Sequence, residues 1–328
     1  MYFVGIYPVR SINTQITQRL IEVYQHFDKK QEATEALLEL TIKDGFKWKN
    51  TPHFSYLINS SQLNSALINE VEGIYFDKNT EEYIVTNDVG LVFLILSNLH
   101  LSVRRLKITH SSVDLREVVN LLCKYDWPIL QHLYVHCETL DDITLLRLIK
   151  TQFYHQLIKF TLEGGKLSNF MLQELFMTLP SGLEELAIKQ LHLPHKSDSI
   201  NHFLQPLLDN PRAQNLLSLT FDNCDLNAYD LDQLLLISFN RLHFLSIRGN
   251  DLVNYDLQKL KKAQWFKNLR ELDISYTSIE KDFLDFLKNS PITYQLEKVY
   301  LESDWSLTDY MPYAHDERFF WGEISLQN

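Results

Sequence analysis

Apolar residues return along this chain at a fixed spacing. The clearest copy reads Leu242-x-x-Leu245-x-Ile247-x-x-Asn250-x-Leu252. Moving the template forward reaches Leu269-x-x-Leu272-x-Ile274 and then Leu296-x-x-Val299-x-Leu301. Moving it backward reaches copies that begin at Leu216, Leu183, Leu157, Leu130 and Val103. Eight copies with four apolar positions each make 32 tests, and every position but Ser306 holds an apolar residue. A chain that is 45% hydrophobic would fill about half of them by chance. Self-similarity at a period in the twenties is the mark of a solenoid, in which each unit buries its apolar face against its neighbours.

The spacing also predicts the elements. Apolar residues two apart point to the same side of a short strand. The remainder of each unit carries apolar residues at three- and four-residue steps, which predicts helices over 113–125, 227–239 and 254–266. Two earlier stretches, Leu37-x-x-Leu40-x-Ile42 and Val71-x-x-Ile74-x-Phe76, fit the strand template at longer intervals.

These residues resemble the leucine-rich-repeat family. The length of the units, with Cys224 and Asn250 at the turn after the strand, is most similar to its ribonuclease-inhibitor subtype. The resemblance implies an α/β horseshoe, with parallel strands on the concave face and helices on the convex face. Family members place Asn or Cys at the turn, where the side chain bonds backbone. Here that position reads Ser111, Glu138, Gly165, Leu191, Cys224, Asn250, Thr277 and Asp304. Less regular turns are therefore expected, most of all around Leu191. Residues 1–70 are expected to be an N-terminal cap or degenerate repeats, 71–302 the array (regular from 103), and 303–328 an aromatic-rich C-terminal cap. Pro194 to Ile200 reads as a longer loop.

Composition narrows the function. The net charge of −11 argues against a generic nucleic-acid binder, which needs Lys and Arg for phosphate. The longest apolar run, Leu91 to Leu96, is too short to span a bilayer. Residues 1–10 lack the pattern of a cleaved secretion signal. Three widely spaced cysteines, Cys123, Cys137 and Cys224, make no disulfide framework and fit a reduced, cytoplasmic setting.

Chemistry is scarce. His132 and His136 would sit about 13 Å apart along a strand, too far to share one metal ion. A Cys137 nucleophile with His110 or His136 has no supporting pattern, and Cys123-x-x-Asp126 has the wrong spacing for a ubiquitin-ligase nucleophile. No phosphate loop, His-Glu-x-x-His or Gly-x-Ser-x-Gly element is present. Neither an enzyme nor a cofactor is expected.

The working surface should be the residues between the apolar strand positions. Arg105, Lys107, His132, Tyr134, His136 and Lys159 make its early part basic and His-rich; Glu271 and Asp273 make its later part acidic. Phe244, Arg248, Tyr276 and Tyr300 add the aromatic and Arg chemistry typical of interface hot spots. Eight strands about 4.8 Å apart span roughly 34 Å, enough for a standard protein interface. The expected function is therefore protein binding by a chain that is monomeric alone. The Gly-poor, Leu- and Asn-rich style is similar to that of leucine-rich-repeat effectors of intracellular bacteria such as Legionella. That likeness implies a translocated protein that binds or inhibits a host factor or another effector in the host cytoplasm. The alternative is an adaptor whose residues 1–70 recruit a ubiquitin-ligase complex.

Overall fold

A computed structural model describes residues 74–86, 91, 94, 99–110, 118–119, 122–191, 204–250, 252, 257–277, 281–302, 312–313 and 315–321. The expectations for residues 1–70, for the Pro194 loop and for turn positions Ser111 and Asp304 lie outside the described residues. The chain divides into two compact units, residues 1–136 and 137–328.

In the first unit, β1 (Ile74–Asp77) and β2 (Glu82–Val85) form an antiparallel hairpin. β3 (Arg105–His110) runs parallel to β2, and β4 (His132–Cys137) follows it in the chain. The Val71 template did mark a strand at Ile74 and Phe76, but that strand is the antiparallel one. The strand that joins the parallel set is β2, where Tyr83 and Val85 stand in register with Leu106 and Ile108. By that register Thr80 occupies the place of Val103, and its polarity hid the strand from the pattern.

The second unit carries β5 (Lys159–Glu163), β6 (Glu185–Lys189), β7 (Ser218–Asp222), β8 (Phe244–Ser246), β9 (Glu271–Asp273), β10 (Lys298–Tyr300) and β11 (Phe319–Phe320). All pair in parallel, each with the next in the chain. Parallel neighbours need a crossover between them, and helical segments supply it. These are α1 (Asp142–Ile149) before β5, α2 (Asn169–Met177), α3 (Gln205–Asp209), α4 (Ala228–Leu236) and α5 (Lys281–Asn289). Of the 254–266 segment, the described residues form a 3-10 helix over Leu257–Lys262 rather than an α-helix.

Each of three helices starts at a side chain that accepts an otherwise unbonded backbone N–H. Asp141 accepts from Thr144, Ser168 from Met171, and Asn227 from Tyr229 and Asp230. Asp230 returns a bond to the Asn227 N–H, closing a capping box. The template residues are buried to the last one described: Leu219, Leu245, Leu272 and Val299 on the strands, Leu175, Leu231 and Leu234 on the helices. Each such side chain contributes about 1.5–3 kcal/mol by leaving water. Phe176 of α2 meets Phe221 of β7 edge-on, tying helix to strand.

The turns after the strands are more regular than the residues there suggested. The residue just before each turn position has a left-handed backbone: Gly164, Gln190, Asn223, Gly249 and Tyr276, with φ between 51° and 80°. Each sends its N–H to a carbonyl in the following unit. The acceptors are Lys189, Asp222, Arg248, Ser275 and Glu302, at 2.5 to 2.8 Å. A second ladder marks the strand starts, where the carbonyls of Ile158, Glu184, Leu217, His243 and Arg270 each accept two N–H groups from the next unit.

Different side chains serve the same turn. Asn250, fully buried, accepts from the Cys224 and Leu226 N–H groups and donates to the Phe221 and Ile247 carbonyls. The Cys224 S–H donates to the Ile188 and Asp222 carbonyls, and the Thr277 hydroxyl to Ile274. Gly165 contributes room instead: with φ +96°, a Cβ there would lie 2.9 Å from the Leu140 carbonyl oxygen. Leu191 simply adds buried apolar surface.

Asn250→Ala should therefore cost about 3 kcal/mol or more in urea unfolding, since two buried N–H groups and two carbonyls lose their partner at once. Gly249→Ala should cost less, about 1–2 kcal/mol. Its backbone strain is real, but the colliding Asn223 amide is exposed and can swing away. Equal costs for the two would count against this account of the turn.

Candidate binding face

The strand residues that point away from the core form three rows across the second unit, defined by the pairing register. One row runs Lys159, Glu185, Ser218, Phe244, Glu271, Lys298. The middle row runs Thr161, Ala187, Thr220, Ser246, Asp273, Tyr300, Phe320. The third continues from Glu163 through Lys189 and Asp222 toward Arg248 and Glu302.

Adjacent strands put Lys159 beside Glu185, Lys189 beside Asp222 at 3.5 Å and Lys298 beside Glu271 at 3.1 Å, while Arg248, after β8, reaches past the β9 unit to Glu302, after β10. Four cations thus meet four carboxylates within the sheet itself. Such partly exposed pairs contribute little to stability, but they neutralise one another in place. The Tyr300 hydroxyl also donates to Glu271, at 3.1 Å.

Asp222 is the most enclosed of these groups. Burial raises its carboxyl above the ordinary 3.8, and the nearby Asp273 adds to the rise. A hydrogen bond from the Ser246 hydroxyl and the charge of Lys189 oppose it. Ser246 and Thr220 are themselves buried although they face outward. They form a floor of short side chains between longer neighbours such as Phe244 and Arg248.

Tyr276 departs from the expectation that it lies on a strand. It occupies the left-handed turn position after β9, with φ +55°. A bulky aromatic is rare there and costs about 1–2 kcal/mol. The residue is 53% exposed, and the Arg248 guanidinium lies 4.8 Å from the ring centre. The guanidinium is fixed in turn by Glu302, whose backbone carbonyl accepts the Tyr276 N–H. The result is an exposed aromatic held rigidly by its own neighbours.

In the first unit, Arg105 and Lys107 stand on β3, and His132, Tyr134 and His136 on β4, all half-buried at alternate positions. Lys107 lies over the Tyr134 ring, 4.6 Å from its centre. Arg105 donates to the Thr80 carbonyl. Both charges act on Glu82, whose carboxyl is raised by burial and lowered again by Lys107 and Arg105. The structure thus joins Lys107 to Tyr134, and Arg248 to Tyr276, Lys298 to Glu271 and Tyr300 to Glu271.

Phe320 was not legible as part of this surface. β11 adds it to the middle row, where its ring stands 5.5 Å from that of Tyr300. By the pairing register Asp316 takes the first apolar template position of that strand, so the pattern ended too early. Asp316 instead holds Arg318, whose guanidinium donates to the Thr293 and Leu287 carbonyls. Tyr313 is buried and donates to Asp285.

The cysteines offer no exposed nucleophile in the second unit. Cys137 and Cys224 are buried, and burial pushes the Cys224 thiol up to about 12. Among the described residues, no group of three or more His, Cys, Asp and Glu side chains is placed to hold a metal ion. No helix among them is long and apolar enough to cross a membrane.

No protein-family model matches the chain, and no curated protein matches it. Among solved structures, it is similar to an internalin of Listeria monocytogenes, at 16% identity and a TM-score of 0.43. The match covers 74% of this chain and 58% of that one. At that distance the reading of the fold rests on this chain's own strands and turns.

Asp222 gives the face a measurable pH signature. Because its carboxyl is raised in the folded chain, the folded state holds the proton more tightly than the unfolded one. Stability from this group is present below 3.8 and is lost as pH rises through the folded value. Asp222→Asn can still accept from Ser246 and has no charge to gain. Urea unfolding should therefore show the variant improving relative to the parent as pH rises from below 3.8 to neutrality. A gap that stays constant with pH would show that Lys189 compensates Asp222 fully.

Proposed function

We propose that this chain is a non-enzymatic module that binds another protein through the open face of its strands. One observation carries the reading. Tyr276 is kept, exposed, in a backbone conformation that Gly or Asn would adopt at far lower cost. Strain that the fold does not need, in a residue type enriched at interface hot spots, is evidence of selection for contact. Arg248 and Glu302 fix the ring beforehand, so little side-chain freedom remains to be lost on binding. Phe244 and Tyr300 lie on the neighbouring strands and extend the surface.

In the first unit, taken by itself, the outward strand residues, Lys107 and Tyr134 above all, belong to this proposal as a contact area of their own. Composition and repeat style alone support the finer reading of a translocated bacterial effector that binds or inhibits a host protein or a fellow effector.

The test separates stability from binding. Tyr276→Asn should leave the fold unchanged or stabilise it by about 1 kcal/mol in urea unfolding, because Asn tolerates the left-handed turn. The same substitution, alone or with Phe244→Ala, should remove a partner captured from lysate by the parent chain. A variant that is destabilised and still binds would place the function elsewhere.

A further inference from the structure

The proposed face also carries a charge imbalance that indicates the chemistry of its partner. The outward strand positions of the second unit, with Glu302, hold six carboxylates (Glu163, Glu185, Asp222, Glu271, Asp273 and Glu302). They hold four cations (Lys159, Lys189, Arg248 and Lys298). Every one of those cations is already matched by a carboxylate across the sheet. The strand pattern alone leaves such cations available to a partner; the structure occupies them internally.

Asp273 stands outside these four pairs. Asp273, half-buried in the middle row, accepts only the Ser275 N–H and faces no cation among the described residues. It lies near enough to Asp222 to act on its charge. Around it stand Tyr276, Tyr300 and the low floor of Thr220 and Ser246. An acidic partner would meet the Asp273 carboxylate, with every cation at the described outward strand positions of the second unit already held by a carboxylate. A basic one would relieve that carboxylate, and the whole chain, at −11, would steer the partner in.

We infer that the partner engages this face through a basic protein segment, with Lys or Arg side chains against Asp273 and its apolar stems against Tyr276 and Tyr300. This rests on the protein-binding reading and adds the sign of the ligand. The long Lys and Arg stems suit such a surface, since they cover aromatic rings while the charge reaches a carboxylate.

A library of random ten-residue peptides displayed on phage, panned on the immobilised chain, tests the two readings separately. Peptides retained by the parent and lost with Tyr276→Asn should be enriched in Lys and Arg. For a selected basic peptide, Asp273→Asn should weaken binding about fivefold, and raising salt should weaken it further. Asp232→Asn, on α4, should leave it unchanged. Peptides that need Tyr276 but are neutral or acidic would overturn the basic-segment inference and leave the binding face standing. Failure to select any peptide sensitive to Tyr276→Asn would overturn both.

Discussion

The second unit depends on one recurring bond. After each strand from β5 to β9 a residue in the left-handed region ends the outward run and gives its N–H to the carbonyl of the following unit. Five such donors, Gly164, Gln190, Asn223, Gly249 and Tyr276, repeat the contact at nearly constant length. Parallel strands as short as three residues offer few ladder bonds of their own. The turn bonds therefore extend the pairing beyond the strands and hold the units in register. The doubly accepting carbonyls at the strand starts do the same at the other end.

Because the backbone supplies this ladder, the side chains at the turn are free to differ. Asn250 satisfies five backbone groups, Cys224 two and Thr277 one, while Leu191 adds apolar surface and Gly165 only avoids a collision. A buried polar group without a partner costs about 1–3 kcal/mol, so each solution must be complete, but it need not be the same one. Consensus at this position is a sufficient condition for the turn and not a necessary one.

Tolerance has a functional consequence at Tyr276. The position accepts residues other than Gly at a modest cost, and the unit uses that latitude to present a ring. Arg248 and Glu302, one unit to each side, are placed by the strand register to brace it. The same register that builds the fold thus builds the rigid part of the proposed interface and cancels most of its charge.

The sequence by itself determined the repeat, the inward residues and the outward rows, because side chains on a strand alternate and the period is fixed by how units stack. It also pointed to Tyr134, Phe244, Arg248, Glu271, Asp273, Tyr276 and Tyr300 as outward-facing or exposed. Tertiary structure decided the rest. Which charges cancel depends on neighbours 26 to 54 residues away in the chain, such as Lys159 with Glu185 and Arg248 with Glu302. The strands β2 and β11 carry polar residues, Thr80 and Asp316, at the place where the template requires an apolar one. They were invisible until pairing with a neighbouring strand supplied the hydrogen bonds that periodicity alone does not encode. The left-handed backbone at Tyr276 and Gln190 was equally hidden. Neither residue favours it, and only the carbonyl waiting in the next unit selects it.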